Sequence, residues 1–256
     1  MTLNEDLFNI DYLIYSSHKT ATQTLVNTFN SNNFNCKHCH HLVNIDLIKG
    51  SFQKYTEEFL QKNGTRINII SVFRDPMERH ISSFFQWYGS KPIRTKEVES
   101  ELDTMIYKYT IEELQNKFIS ELNDKSLIGI HESIHEISRE LQFNVEDLNY
   151  DFLNRTGAIE AENFKLFFFR FDHLISNFEG ILSNITNKDI VQNNANLSDS
   201  KWYRDKYLEF KETIQIPTAT VSSVYQSKND LINLFYPQGF QLILNEALVK
   251  YSRIQN

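Results

Sequence analysis

The stretch Phe8–Thr24, FNIDYLIYSSHKTATQT, changes character at Ser16. Phe8–Tyr15 is an apolar run with little alternation, the pattern of a strand buried on both faces. The polar turn Ser16–Thr20 follows, and Ala21–Asn30 then sets Ala21, Leu25, Val26 and Phe29 on one helical stripe. Strand, short polar turn and helix make an α/β unit. Arg66–Phe73 (RINIISVF) predicts a second strong buried strand. It runs into a helix with Asp75 as cap, Pro76 at the first helical position and Glu78 completing a capping-box pattern. Phe164–Phe171 (FKLFFFRF) predicts a third strand.

Between these, Phe34–His41 reads as a short strand and Ser51–Lys62 as a helix stopped by Gly64. Thr95–Leu153 reads as helices, with Thr110 and Glu113 forming another capping box. Trp202–Thr213, Thr220–Phe235 and Pro237–Arg253 are helical by periodicity. Strands separated by helices predict an α/β fold with a central parallel sheet, right-handed crossovers and flanking helices. No Pro/Gly/Ser-rich linker divides the chain. The expectation is one domain over residues 1–256, with a helical insertion at about 95–160 and a helical C-terminal region.

Composition narrows the function classes. The 256 residues are 41% hydrophobic and 13% aromatic, enough to bury a core, and two cysteines cannot staple a fold of this size. A net charge of −7 disfavours binding of nucleic-acid polymers, which needs a basic face. No run approaches the roughly 18 apolar residues of a membrane span, and the acidic N-terminus does not read as a signal peptide. A cytoplasmic, soluble protein is the expectation, and the Asn-x-Ser/Thr matches at Asn63, Asn154, Asn184 and Asn196 then need no glycan.

Two predicted strand ends carry chemistry, where ligands of open parallel sheets bind. The first is Lys19-Thr20-Ala21-Thr22-Gln23-Thr24. A helix N-terminus with a lysine and hydroxyls at Thr20, Thr22 and Thr24 forms a phosphate cradle. The glycines of the nucleotide-triphosphatase loop are absent and His18 precedes the lysine. The second is Arg74-Asp75-Pro76-x-x-Arg79-x-x-Ser82, where a guanidinium and a hydroxyl suit a second phosphate. Read singly, the first turn is as readily a threonine-capped helix start, and the second is more readily a surface arginine paired with Asp75 or Glu78.

Together, in this order and each behind a strand, the two turns resemble those of the sulfotransferases that use 3′-phosphoadenosine 5′-phosphosulfate (PAPS). That resemblance implies a P-loop-like sulfotransferase architecture. It implies that Lys19, Thr20, Ala21, Thr22, Gln23 and Thr24 bind the 5′-phosphosulfate, and Arg74 and Ser82 the 3′-phosphate. Arg170-Phe171-Asp172-His173-Leu174 looks like the family's strand ending Arg-x-Glu-Asp-Leu. Ser200-Lys201-Trp202-Tyr203-Arg204 resembles the Asn-Lys-Trp-Tyr-Ser signature of the bacterial capsular-polysaccharide synthesis branch, departing from it at both ends. The implied reaction moves a sulfonate from PAPS to a hydroxyl of a glycan, such as a capsular or other surface polysaccharide, without a metal. Lacking a long basic tract, the chain suits a neutral or weakly charged glycan better than a heparin-like one.

Such a transfer needs a base near neutral pH, which histidine supplies. Lys37-His38-Cys39-His40-His41 ends the predicted second strand. Through its Lys-Thr-Ala turn the chain also resembles the 2-O-sulfotransferases, whose His-x-His pair puts the base on His40. His38 would share its face and orient it or contact the acceptor, while Lys19 would balance leaving-group charge. His41 faces the other way. Without the two turns, the cluster reads as a solvated strand end.

Three rival readings remain at this stage. Cys36-x-x-Cys39 beside histidines is a zinc or redox pattern lacking a second ligand pair. His131-Glu132-Ser133-Ile134-His135 matches the zinc-protease signature, with Glu160 or Glu162 as a third ligand, although Glu136 puts a charge where the motif keeps an uncharged residue. The same stretch more readily fits a charged amphipathic helix with Ile130, Ile134, Ile137 and Leu141 inside. A nucleotide-binding module without chemistry is the third.

Overall fold

A computed structural model describes residues 5–40, 52–88, 109–124, 132–193 and 203–252. The expected elements at His41, 95–108, His131 and Ser200–Trp202 lie outside the described residues. The chain divides into two compact units, residues 1–74 with 131–195 and residues 75–130 with 196–256.

The first unit is built on a six-stranded sheet. Its strands are β1 (Tyr12–Tyr15), β2 (Cys36–Cys39), β3 (Ile67–Phe73), β4 (Tyr150–Asp151), β5 (Thr156–Glu160) and β6 (Phe164–Arg170). The order is β2-β1-β3-β6-β5-β4. β1, β2, β3 and β6 are parallel, with Ile14 opposite both His38 and Ile70, and Phe73 opposite Arg170. β5 pairs antiparallel with both β6 and β4. The expected parallel sheet is therefore a mixed one, and the helical reading of 95–160 fails at residues 150–160, where β4 and β5 form. Those residues are short and half-exposed, and β5 contains Gly157, so neither periodicity nor apolar length marks them as strand.

β1, β3 and β6 are largely apolar because both sheet faces are covered there, whereas β2 at the edge of the sheet buries Cys36 and Cys39 and exposes Lys37 and His38. α1 (Thr22–Ser31), α6 (Phe171–Ser176) and α7 (Phe178–Thr186) lie in this unit. They bury Leu25, Phe29, Leu174, Phe178 and Leu182 with Ile14, Ile70, Val72 and Phe169 of the sheet. α2 (Phe52–Asn63) and α5 (Ser133–Leu141) supply Phe52, Tyr55, Ile134 and Ile137 as buried residues.

The second unit is helical: α3 (Pro76–Tyr88), α4 (Ile111–Asp124), α8 (Arg204–Thr213), α9 (Thr218–Gln226), α10 (Asn229–Phe235) and α11 (Phe240–Tyr251). Phe84, Phe85, Phe118 and Phe210 form its aromatic centre, with ring centroids 5.1–5.9 Å apart. Asp75 caps α3 by accepting the Glu78 N–H at 2.9 Å. At α4 the expected capping box is complete: the Thr110 N–H donates to Glu113 Oε2 (2.7 Å) and the Glu113 N–H to Thr110 Oγ1 (3.2 Å). Among the described residues no helix is long and apolar enough to cross a membrane.

Candidate functional site

Strand order gathers the chemistry. The successors of β1 lie on opposite sides of it, β2 on one and β3 on the other, which makes the carboxyl end of β1 a topological switch point, the place where open α/β sheets bind ligands. Ser16, His40 and Arg74 each follow the last residue of one of these strands or its immediate neighbour.

The turn after β1 is held from below by buried hydroxyls. Ser16 Oγ accepts the Val72 N–H at 3.1 Å and lies 2.7 Å from Thr20 Oγ1. Thr20 Oγ1 donates to the Ser17 carbonyl at 2.6 Å and is fully buried, so this hydroxyl shapes the turn. The start of α5 closes the underside. Ser17 N–H donates to Ser133 Oγ and Ser133 N–H to Ser17 Oγ, both at 3.2 Å, and Ser71 Oγ sits 2.9 Å from Ser133 Oγ. Ser17 Oγ also donates to the buried Glu132 carboxylate at 3.4 Å. A buried, mutually bonded set of this kind fixes one geometry, since each unmet donor in it would be costly.

Above this base, Lys19 (φ 68°) and Ala21 (φ 64°) both adopt the left-handed backbone conformation. Non-glycine residues go there only when their surroundings compel them, and such strain concentrates at functional sites. Arg74 supplies part of the compulsion: its Nη1 donates to the Lys19 carbonyl at 3.0 Å, while its guanidinium stacks on Phe171 with 4.5 Å to the ring centroid. Ala21 is the residue before α1, and the first helical bond runs from the Leu25 N–H to its carbonyl. The amides of Thr22, Gln23 and Thr24 thus lie at the positive end of the helix dipole. Thr22 is buried and Thr24 half-buried.

The histidines reach the same turn. His40 Nδ1 donates to the Ser16 carbonyl at 2.7 Å. A carbonyl only accepts, so Nδ1 carries the proton and the lone pair of the neutral ring is on Nε2. His38 lies 5.2 Å from His40 between ring centroids, and its Nε2 is 3.3 Å from Gln23 Nε2. Desolvation lowers the His38 imidazole below its usual range. The His18 ring packs on His40 at 3.8 Å. The spacing of Lys37–His41 pointed to His38 and His40; nothing in it pointed to His18, which comes from another strand end.

At the end of β6, Arg170 pairs with Asp172 through Nε–Oδ1 (2.6 Å) and Nη2–Oδ2 (2.7 Å). Its Nη2 also donates to His173 Nε2 at 2.5 Å, and His173 Nδ1 is 2.9 Å from the Tyr150 hydroxyl. Desolvation, with the Arg170 charge, keeps His173 below the usual range. This cluster holds Arg170 at the start of α6, next to Phe171, and so supports the ring on which Arg74 lies.

In the first unit the fold therefore brings together Lys19, Thr20, Ala21, Thr22, Gln23, Thr24, His38, His40 and Arg74. Ser82 belongs to the second unit, half-buried on α3. Comparison with family models, curated proteins and solved structures finds no match to any of them.

The rival motifs take other forms. Cys36 and Cys39 lie along β2, both buried, and desolvation pushes both thiols far above the usual range. Thiolate is the nucleophile and the metal ligand, so this environment works against redox or zinc chemistry there. α5 begins at Ser133 with Glu132 extended before it, so of His131–His135 the helix holds only Ser133, Ile134 and His135. Glu132 itself is buried against Ser17, underneath the turn. Among the described residues no group of three or more His, Cys, Asp or Glu is placed to hold a metal ion.

Proposed function

We propose that this protein is a sulfotransferase that moves a sulfonate from PAPS to a hydroxyl of a glycan acceptor. One observation carries the reading: Lys19, Arg74 and His40 converge on one strained turn at the carboxyl end of the central β1 strand. The parallel order β2-β1-β3-β6, with charged turns after β1 and β3, supports a P-loop-like sulfotransferase architecture. The donor set suits a nucleotide carrying two phosphate sites, because a lysine, an arginine and a helix N-terminus follow the ends of the adjacent strands β1 and β3.

PAPS supplies an activated sulfonate whose leaving group is adenosine 3′,5′-bisphosphate (PAP). In this reading Lys19 and the amides of Thr22, Gln23 and Thr24 hold the 5′-phosphosulfate and balance the charge that develops on the leaving phosphate. Thr20 and Ala21 fix the backbone that presents them. Arg74 holds the 3′-phosphate in this reading, and Ser82 of α3 is the second residue that the resemblance implies for it. His40 Nε2 takes the acceptor proton, and His38 with Gln23 borders the place where the acceptor enters. A neutral or weakly charged glycan, of capsular or other surface type, is the proposed acceptor class, and cytoplasm the proposed compartment.

The test is direct. PAP should raise the melting temperature of the wild type, and Lys19→Ala, Arg74→Ala and Ser82→Ala should each shrink that rise. A shift unchanged in Arg74→Ala and Ser82→Ala sinks the 3′-phosphate assignment. PAPS-dependent transfer should be detectable against a panel of glycans and phenols, and His40→Ala should lose on the order of 10²–10⁴ in rate. Stabilisation by PAP with no transfer to any acceptor would make the protein a nucleotide-binding module. Stoichiometric zinc without PAP binding would instead favour a peptidase.

A further inference from the structure

We propose that His18 and His40 form one proton-binding pair, in which His18 is a positioning residue that holds the His40 ring and opposes a second proton on the pair. Its catalytic meaning rests on the reading of His40 as base; its existence does not. His18 belongs to the turn after β1 and His40 follows β2, so the pair joins two neighbouring strand ends.

The geometry fixes His40 twice. The Ser16 carbonyl fixes one nitrogen at 2.7 Å, and the His18 ring covers one face at 3.8 Å between centroids with a 37° tilt. The remaining motion of the ring about its Nδ1–carbonyl axis would break the stack. Two imidazoles this close tolerate one positive charge between them, whereas a second adds like-charge repulsion at contact distance.

The other charges around the pair act in the same sense, with one exception. Lys19 adjoins His18 in sequence, and Arg74 donates to the Lys19 carbonyl, so two cationic residues belong with the turn that carries His18, and a cation near an imidazole opposes its protonation. From β2, His38 faces the His40 ring at 5.2 Å, and Lys37 is exposed beside it. From the start of α5, the Glu132 carboxylate reaches the turn through Ser17 Oγ and supports a first proton. The pair consequently keeps Nε2 of His40 available as a proton acceptor at pH values where two separate histidines would both be charging.

The experiment is an NMR titration of the histidine rings in the full chain, comparing wild type with His18→Phe, which keeps a stacking ring and removes the titrating partner. The wild type should show His18 and His40 sharing two macroscopic steps more than about one pH unit apart. In His18→Phe, His40 should titrate in a single step lying above the lower wild-type step. If His18→Phe does not fold, His18→Gln and the reciprocal titration of His18 in His40→Gln carry the same comparison. Independent single-step curves for His18 and His40 in the wild type, unmoved by substitution of the other, overturn the pair. If transfer from PAPS is measurable, the acid limb of its pH profile should move upward in His18→Phe. Absence of transfer in the wild type would overturn the sulfotransferase reading and leave the pair to be decided by the titration.

Discussion

Ala21 holds a backbone conformation that costs an L-residue roughly 1–2 kcal/mol and a glycine almost nothing. Ala21→Gly should therefore raise stability by up to about 1 kcal/mol once the unfolded-chain entropy of glycine is subtracted, read by denaturant titration. Gly157 makes the opposite case. A Cβ there would stand 2.0 Å from Phe168 Cε2, and Phe168 is fully buried. Gly157→Ala should cost about 3 kcal/mol, the upper end for overpacking, in the same titration. Gly64→Ala, with φ +67° but open space around it, should lose only about 1 kcal/mol. At this scale the sequence made the placement of Lys19, Arg74 and His40 at strand ends legible, because each stands at or just beyond the end of a predicted strand. It hid their strain and their support. The left-handed Lys19 depends on Arg74, and the base of the turn on Ser133 and Glu132, all distant in the chain.

Among the elements, α3 is tied to its neighbours by one carboxylate. Glu78 binds Lys211 of α8 at 2.7 Å and, from α11, Lys250 at 2.7 Å and the Tyr251 hydroxyl at 2.8 Å. Burial raises its pKa, but the bonds and charges of the two lysines together outweigh this and bring it down to about 2. A group depressed on folding contributes stability that is present above its unfolded value and lost as pH falls through the folded one. Stability should thus fall between about pH 5 and pH 2, by on the order of 3 kcal/mol from Glu78 alone. Glu78→Gln should flatten that part of the pH–stability curve while destabilising the protein at pH 7; an equally steep acid limb in the variant would remove Glu78 from the account. The sequence announced Glu78 as half of a capping box, and local spacing could not reveal partners on α8 and α11. Likewise β6 was legible from its apolar length, whereas the β4–β5 hairpin, short and half-exposed, takes its identity from pairing with β6. β1, β3, β6 and most helices were readable because each buries a continuous or periodic apolar face, whereas β2 buries only Cys36 and Cys39.

For the whole molecule, a net charge of −7 is compatible with the proposed anionic ligand only if the site is electrostatically local. Charges farther than the Debye length of about 8 Å are screened at physiological salt. Lys19→Met and Lys54→Met change the net charge equally, yet only the first should abolish most of the thermal shift caused by PAP. Lys54 is an exposed residue of α2 beside Glu58. Equal losses in both variants would mean that overall charge, not the turn, governs binding.

The sheet also dictates an order of assembly. β3 finds β6 in register from Ile67–Phe164 to Phe73–Arg170, and the segment of the second unit that contains α3 and α4 is threaded between them in the chain. Loop closure over such a span adds little to equilibrium cost, since that cost grows only with the logarithm of length, but non-local pairing is slow. During synthesis β1, β2 and β3 are made long before β6. Until it arrives, β3 presents an unpaired apolar edge, and the ring of Phe171 that steadies Arg74 does not yet exist. The nascent chain thus passes through a stage in which the turn after β1 has been translated without the support of Phe171 behind Arg74, and that support arrives with the last parallel strand.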